Sequence, residues 1–460
     1  MNKFHENNQY ETKFLLSSSL KQQKINRLVA QYEAPLYLYD FVKIEHQFNR
    51  LIRFLPNNFK VHYTLKANSN LAICHQLASL GASADISSIG ELVAAIKGGF
   101  SPQKIIFTGP GKTDRELSFV LKQGIGLIVV ESVNEARRLN SLAKKYEIIQ
   151  DILVRINPLY RTSNSCEVSQ GESSCALDTE LNTPIQLISQ SASKFGIDEQ
   201  LVSEAIGKIV SLENINLKGI HVFTESNLLN YQQLVASCKN TINIANRLRE
   251  EGYPISTVDF GGGMGVSYSN TNAEFDIERF SKQMQNISQS NLYKYDYVFE
   301  LGRYLVCESG CYITKVIDIK ESQKKKFLIV DGGIHQLFRY SMKKASNFMD
   351  VIGKERVATE KVTLAGKLPT PLDIMVEDVE VPDNIEIGDL IIIYNCGAYG
   401  FNHSLTNFAL HNYPAEIAYS QDKFEVIRQP GKVEDFFLNQ PLSFVESPEK
   451  KLITPNLIQT

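Results

Sequence analysis

The stretch Lys60-Val61-His62-Tyr63-Thr64-Leu65-Lys66-Ala67-Asn68 ends an apolar run on one lysine. Val61, Tyr63 and Leu65 alternate with His62 and Thr64, the period of a strand, so Lys66 falls where the strand gives way to a loop. An amine desolvated at such a place has a lowered pKa and attacks a carbonyl, forming a Schiff base with a substrate or with pyridoxal phosphate. Taken alone, Lys66 equally fits a surface residue closing a strand. Its meaning depends on what the other strand ends carry.

Those ends are chemically unusual. Asp259-Phe260-Gly261-Gly262-Gly263-Met264-Gly265 offers consecutive glycines whose backbone N–H groups can approach an anion closely. Phe299-Glu300-Leu301-Gly302-Arg303 sets a carboxylate and a guanidinium three residues apart, able to serve two ends of one charged ligand. Ala84-Asp85 and Gly90-Glu91 add two more carboxylates. Gly219-Ile220-His221-Val222-Phe223-Thr224-Glu225-Ser226-Asn227 brings a histidine, an aromatic ring and hydroxyls. Each motif singly has an ordinary structural reading, a turn, an ion pair or a core histidine. Their conjunction makes a site.

The elements that must position them are short apolar runs separated by amphipathic stretches. Strands are expected at Val61–Leu65, Ala82–Ile86, Lys104–Thr108, Gly126–Val130, Asp151–Ile156, Leu217–Phe223, Thr257–Phe260 and Tyr295–Phe299. Asn70–Leu80, Ile89–Gly98, Asp114–Gln123 and Val133–Tyr146 read as intervening helices. Repeated strand–helix units imply a parallel sheet, and about eight of them fit a TIM-type (β/α)₈ barrel with its site at the strand carboxyl ends. A doubly wound open sheet is the alternative. Beyond residue 305, strands at Cys311–Ile319, Lys326–Val330, Val357–Leu364, Asp373–Val381 and Asp389–Tyr394 lack helices between them and suggest a C-terminal β domain. The expected division is residues 1–40 as a segment whose strand Leu36–Tyr39 joins that domain, 41–304 as the barrel, 305–430 as the β domain and 431–460 as a polar tail. Asn157–Pro184 reads as a long loop after the fifth strand.

Composition excludes several classes. Forty-eight basic against 51 acidic residues give a net charge of -3, which is no nucleic-acid footprint. No stretch is apolar and long enough to span a bilayer, and Met1-Asn2-Lys3-Phe4-His5-Glu6 is not a secretory signal. The seven cysteines lack paired metal spacing, so no metal is expected, and free thiols in the cytoplasm are the expected state.

Together these residues resemble the fold-type III pyridoxal-phosphate enzymes, which include diaminopimelate, ornithine and arginine decarboxylases and alanine racemase. The resemblance runs from about residue 30 to 425. Tyr63 to Asn68 is similar to the family's lysine motif, Ala84 to Glu91 to its second-strand motif, and Asp259 to Gly265 to its glycine loop. Glu300-Leu301-Gly302-Arg303 looks like its Glu-Pro-Gly-Arg motif with leucine for proline, and Gly397-Ala398-Tyr399 like a tyrosine motif in the β domain. The resemblance implies pyridoxal 5'-phosphate bound through Lys66, with Glu300 paired to the pyridine nitrogen. It implies phosphate contacts from the glycine loop (Gly261, Gly262, Gly263), Arg303, Ser226 and Tyr399, and cofactor contacts from Asp85, Glu91, His221, Phe223 and Gly302. A carboxylate at the ring nitrogen favours decarboxylation, because the alanine racemase branch uses an arginine there.

This chain also departs from the pattern. In Ala365-Gly366-Lys367-Leu368-Pro369-Thr370-Pro371-Leu372-Asp373, Pro369 stands where relatives carry a proton-donating cysteine that crosses a dimer interface. Thr370 stands where diaminopimelate decarboxylases have a glutamate for the distal amine, and Arg339 roughly where they place a carboxylate-binding arginine. Phe223 replaces a ring-stacking histidine and Glu225 a glycine. Gly109-Pro110-Gly111-Lys112-Thr113 resembles a divergent branch that acts on carrier-tethered or siderophore intermediates. The expected enzyme is an amino-acid or conjugate α-decarboxylase, a homodimer whose shared sites are lined by Thr370 and Asp373. A racemase of the same fold and a silent cofactor-binding relative are the alternatives.

Overall fold

The computed structural model describes residues 18–159, 193–268, 273–343 and 349–440. Most of the expected insertion and the last twenty residues lie outside the described residues. Eight strands form the first domain: Phe59–Thr64, Ser83–Ile86, Ile105–Phe107, Leu127–Val130, Gln150–Asn157, Ile215–His221, Thr257–Asp259 and Asp296–Leu301. Each pairs in parallel with the next. The eighth returns to the first, Glu300 opposite His62, which closes the ring and rules out the open sheet.

Side chains alternate along each strand, and the packing shows which face is which. Ile105, Phe107, Ile128, Val130, Ile152, Val154, Tyr297 and Phe299 pack outward in the large core shared with the helices. Ile106, Val129, Leu153 and Val298 form a separate buried cluster, an apolar plug inside the barrel. Two residues further along each strand direction stand Thr108, Glu131, Arg155 and Glu300, all buried. The barrel interior therefore changes from apolar to polar in one step toward its mouth. By the same alternation His62, Asp85, His221 and Asp259 point inward, since Val61, Tyr63, Ala84, Ile86, Ile220, Val222, Val258 and Phe260 belong to the outer core.

In the second domain Leu36–Asp40 lies between Gly310–Ser322, antiparallel to it, and Ala415–Ser420, parallel to it. Ile25 and Leu28 of the helix Ser18–Tyr32 pack on this sheet against Leu36, Leu38, Ile313 and Ile417. The strands Ala415–Ser420 and Lys423–Arg428 were not expected from sequence. Glu416 interrupts the apolar run of the first, yet it is buried and satisfied, accepting from Tyr39 Oη (2.8 Å), Asn70 Nδ2 (2.9 Å) and Arg428. Asn70 caps the helix Leu71–Ser79 of the barrel, so this carboxylate also ties the two domains together.

Candidate active site

Lys66 lies in a single 3-10 turn, Leu65–Ala67, directly after the first strand. Three hydrogen bonds strap that turn to the β domain. Tyr399 N donates to Ala67 O (2.7 Å), Asn402 Nδ2 to Lys66 O (2.8 Å), and Asn68 Nδ2 to Gly397 O (3.1 Å). Gly302 explains the close approach from the barrel side: a Cβ there would stand 2.6 Å from Ala67 Cβ. The lysine side chain is half exposed into a cavity of about 340 Å³ at the barrel mouth.

That cavity gathers most residues singled out from sequence. Lys66, His221, Phe223, Ser226, Gly262, Gly263, Glu300, Gly302, Arg303 and Tyr399 all line it. Gly261 lies just beneath Phe223, where its own Cβ would come within 2.8 Å of the ring, and its φ of +62° is one glycine tolerates. Asp85 sits under Lys66, with Oδ2 3.9 Å from Nζ and Oδ1 accepting from Thr108 Oγ1 at 2.6 Å. Glu91 caps its own helix start by accepting from Ser87 N (2.6 Å), which leaves it at the rim.

The electrostatics at Lys66 differ from the expectation of a lowered pKa. Burial does lower it, but Asp85, Tyr399, Glu300 and Glu91 together outweigh burial, and the net shift is upward. Burial would raise the Glu300 pKa, but His221, Lys66 and His62 overcome it and hold the carboxyl well below the usual range. His221 Nε2 lies 3.3 Å from Glu300 Oε2, while Oε1 is buried without a partner. Asp259 behaves oppositely: burial and the Glu300 charge push its pKa up. His221, Asp259 and Glu300 bring their ligand atoms within 4.8 Å of one another.

Across the mouth, Arg303 Nη1 donates to Tyr268 Oη (2.8 Å) and Nη2 to Ser226 Oγ (3.5 Å). Arg303 and Arg339 each stand 4.8 Å from the centre of the Tyr399 ring. Neither guanidinium forms an ion pair among the described residues, and Arg339 Nε is buried without a partner. Burial and the Arg303 charge lower the Arg339 pKa. Two cations with no anion beside them fit a bound phosphate and a carboxylate.

Pyridoxal phosphate fits this set. The unpartnered Glu300 Oε1 would accept from a protonated ring nitrogen, and Gly262 and Gly263 line the cavity on a loop packed too closely for side chains, a Cβ at Gly263 meeting Leu234 Cδ1 at 2.8 Å. Lys66 supplies the amine.

Asp373 is tied into its own loop: Oδ1 accepts from Ile334 N and Oδ2 from Leu368 N, both at 2.8 Å. It is the post around which the 366–373 loop is wound. Thr370 is half-buried in that loop, its Oγ1 accepting from Leu372 N (3.3 Å), and neither residue lines the cavity of its own chain. Conversely, Arg155, Thr108 and Phe195 line the cavity and were missed. The first two were legible from strand period: each follows an inward apolar residue by two positions.

The family described as "Pyridoxal-dependent decarboxylase, pyridoxal binding domain" matches residues 41–307. The chain is 32% identical over 92% of its length, and 97% of the relative's, to the L-glutamyl-[BtrI acyl-carrier protein] decarboxylase of Niallia circulans. It is 30% identical over 87% of its length, and 98% of the relative's, to the 2-[(L-alanin-3-ylcarbamoyl)methyl]-2-hydroxybutanedioate decarboxylase of Staphylococcus aureus. A crystal structure of diaminopimelate decarboxylase from Helicobacter pylori complexed with L-lysine superimposes with a TM-score of 0.78 at 29% identity, covering 90% of this chain and 98% of that one. By this family model and these relatives, the chain belongs to the pyridoxal-dependent decarboxylases of fold type III.

Proposed function

We propose that this protein removes the α-carboxylate of an amino acid, or of an amino-acid unit within a larger conjugate, with pyridoxal phosphate held through Lys66. The observation that carries this reading is Glu300: an ionised, buried carboxylate with one free oxygen where a racemase would need a cation. When bound, pyridoxal phosphate supplies an electron sink for the pair released as a bond at Cα breaks. Glu300 keeps a proton on the ring nitrogen, and His221 holds Glu300 in place. Phe223 packs over the glycine loop and gives the ring an apolar face, while Arg303, Ser226 and Tyr399 take the phosphate. Lys66 Nζ and Tyr399 Oη are the cavity groups able to return a proton to the carbon, since Pro369 has none to give. Arg339 is assigned to a substrate carboxylate.

The named activities of the Niallia and Staphylococcus relatives support a conjugate as substrate. A screen for CO₂ release from diaminopimelate, basic amino acids, and citryl- or carrier-linked amino acids tests the function. Borohydride reduction of the loaded protein is expected to label the Lys66 peptide. Interconversion of enantiomers without CO₂ would sink the reading in favour of a racemase, and turnover of none of these in favour of a silent binder.

We also assign a two-fold homodimer, in which the 366–373 loop of one subunit reaches the cavity of the other. Leu372 at its tip is 74% exposed, and Lys367, Pro369 and Pro371 are exposed beside it. Mixing Lys66→Ala with Thr370→Arg chains, each inactive alone, is expected to restore up to about a quarter of wild-type activity. No recovery after proven subunit exchange would refute the shared site.

A further inference from the structure

A buried polar chain runs beside the cavity without touching Lys66. Lys112, only 4% exposed, spends all three of its N–H donors: on Gly109 O (2.8 Å), Val129 O (2.7 Å) and Glu135 Oε1 (2.7 Å). Glu135 Oε2 accepts from Glu131 N (3.0 Å). The Glu131 side chain then holds Arg155 Nη1 through Oε1 (2.9 Å) and Gly196 N through Oε2 (3.0 Å). The Arg155 guanidinium carbon stands over Phe195, 4.4 Å from the ring centre. The chain thus begins behind Gly109 and Pro110 and ends at Arg155 and Phe195, all four of which line the cavity.

Such a network has a cost as well as a benefit. Four buried charges are stable only while every partner is in place, and an apolar set of the same volume serves stability at least as well. A barrel that needed only stability could fill these positions with the valines and isoleucines found one layer below. What the charges add is direction: a lysine with three fixed acceptors locks the third strand's turn to the fourth strand, and Glu131 carries that lock to the fifth.

We propose that Lys112 is a positioning residue for the reaction: through Glu135 and Glu131 it fixes the Arg155 guanidinium and the Gly109–Pro110 turn as one wall of the substrate cavity. This rests on the decarboxylase reading. Arg155 is the cavity-facing end of the chain, and Lys112 acts only through it and through the turn.

The test compares Lys112→Met, Glu135→Gln and the double variant, each loaded with pyridoxal phosphate. Displacing a pocket wall by about an ångström costs about a hundredfold in rate. Lys112→Met is therefore expected to lower kcat/KM by that order, with the cofactor still reducible onto Lys66. Glu135→Gln should show a similar loss, and the double variant little more than either, because the residues act as one unit. The circular dichroism induced in the bound cofactor should change in the same three proteins, a readout that needs no turnover. Wild-type kcat, KM and induced dichroism in Lys112→Met, whatever its melting temperature, would overturn the proposal, as would fully additive losses. If Lys112→Met does not fold, Glu135→Gln decides alone, since it leaves both backbone bonds of Lys112 intact. A wild type that binds cofactor but releases no CO₂ would defeat the functional reading while leaving the dichroism comparison to judge this one.

Discussion

The two sides of the barrel mouth treat their cations differently. At the third to fifth strands, Lys112 and Arg155 each have a buried carboxylate within 2.9 Å. At the sixth to eighth strands and the adjoining β domain, Arg303 and Arg339 have none among the described residues, only hydroxyls and the Tyr399 ring. A compensated buried cation is part of the scaffold. The other pair has no such carboxylate among the described residues, and burial, then the Arg303 charge, lower the Arg339 pKa. On the proposed function, the division separates residues that hold the shape from residues assigned to the ligand.

Breaking the compensated side should cost folding stability. Glu131→Ala leaves Arg155 buried and unpaired, and is expected to destabilise the cofactor-free protein by about 3–5 kcal/mol in denaturant titration. A loss below about 1 kcal/mol would mean Arg155 is free to reach water and belongs with the ligand-binding set. Acid probes the inward-facing ring between the two sides. Burial lowers the His62 pKa to about 4, against an ordinary value of 6.5. Its contribution is complete above pH 6.5 and is lost as pH falls toward 4, because only the unfolded chain takes up the proton there. The expected loss is up to about 3 kcal/mol, and His62→Gln should flatten that part of the stability curve.

Breaking the uncompensated side should cost ligand instead. Arg303→Met is expected to weaken pyridoxal phosphate binding by roughly 10- to 100-fold, the worth of one charge-assisted contact. The cofactor-free protein should change by less than about 1 kcal/mol, since no buried carboxylate is orphaned. Arg339→Met should have the smallest effect, an increase in KM of about tenfold with kcat and cofactor affinity near wild type. A large drop in cofactor affinity for Arg339→Met would move it from the substrate to the phosphate.

What was legible in sequence follows the same division. Lys66, the glycine run and Glu300–Arg303 sit in contiguous motifs, because one strand end delivers all of each motif to one place. The compensated network is scattered over Lys112, Glu131, Glu135 and Arg155, and no local spacing joins it. Only the phase of the barrel interior does, and that needs the apolar plug to be identified first. The loop-holding part of Asp373 was not legible either: the backbone donors of Ile334 and Leu368 that meet its carboxylate lie on a distant segment and in a turn without a signature. Ala415–Ser420 was invisible because its one charge, Glu416, is satisfied by residues from three distant segments.

The straps from Gly397, Tyr399 and Asn402 to the lysine turn bear on how this enzyme can be divided. The barrel holds the cradle, yet the backbone that aims its nucleophile is moored to another domain. A barrel cut free at its last strand would keep the glycines and lose the aim of Lys66. Any graft of a foreign β domain onto this barrel must reproduce those three short bonds before its substrate loop can matter.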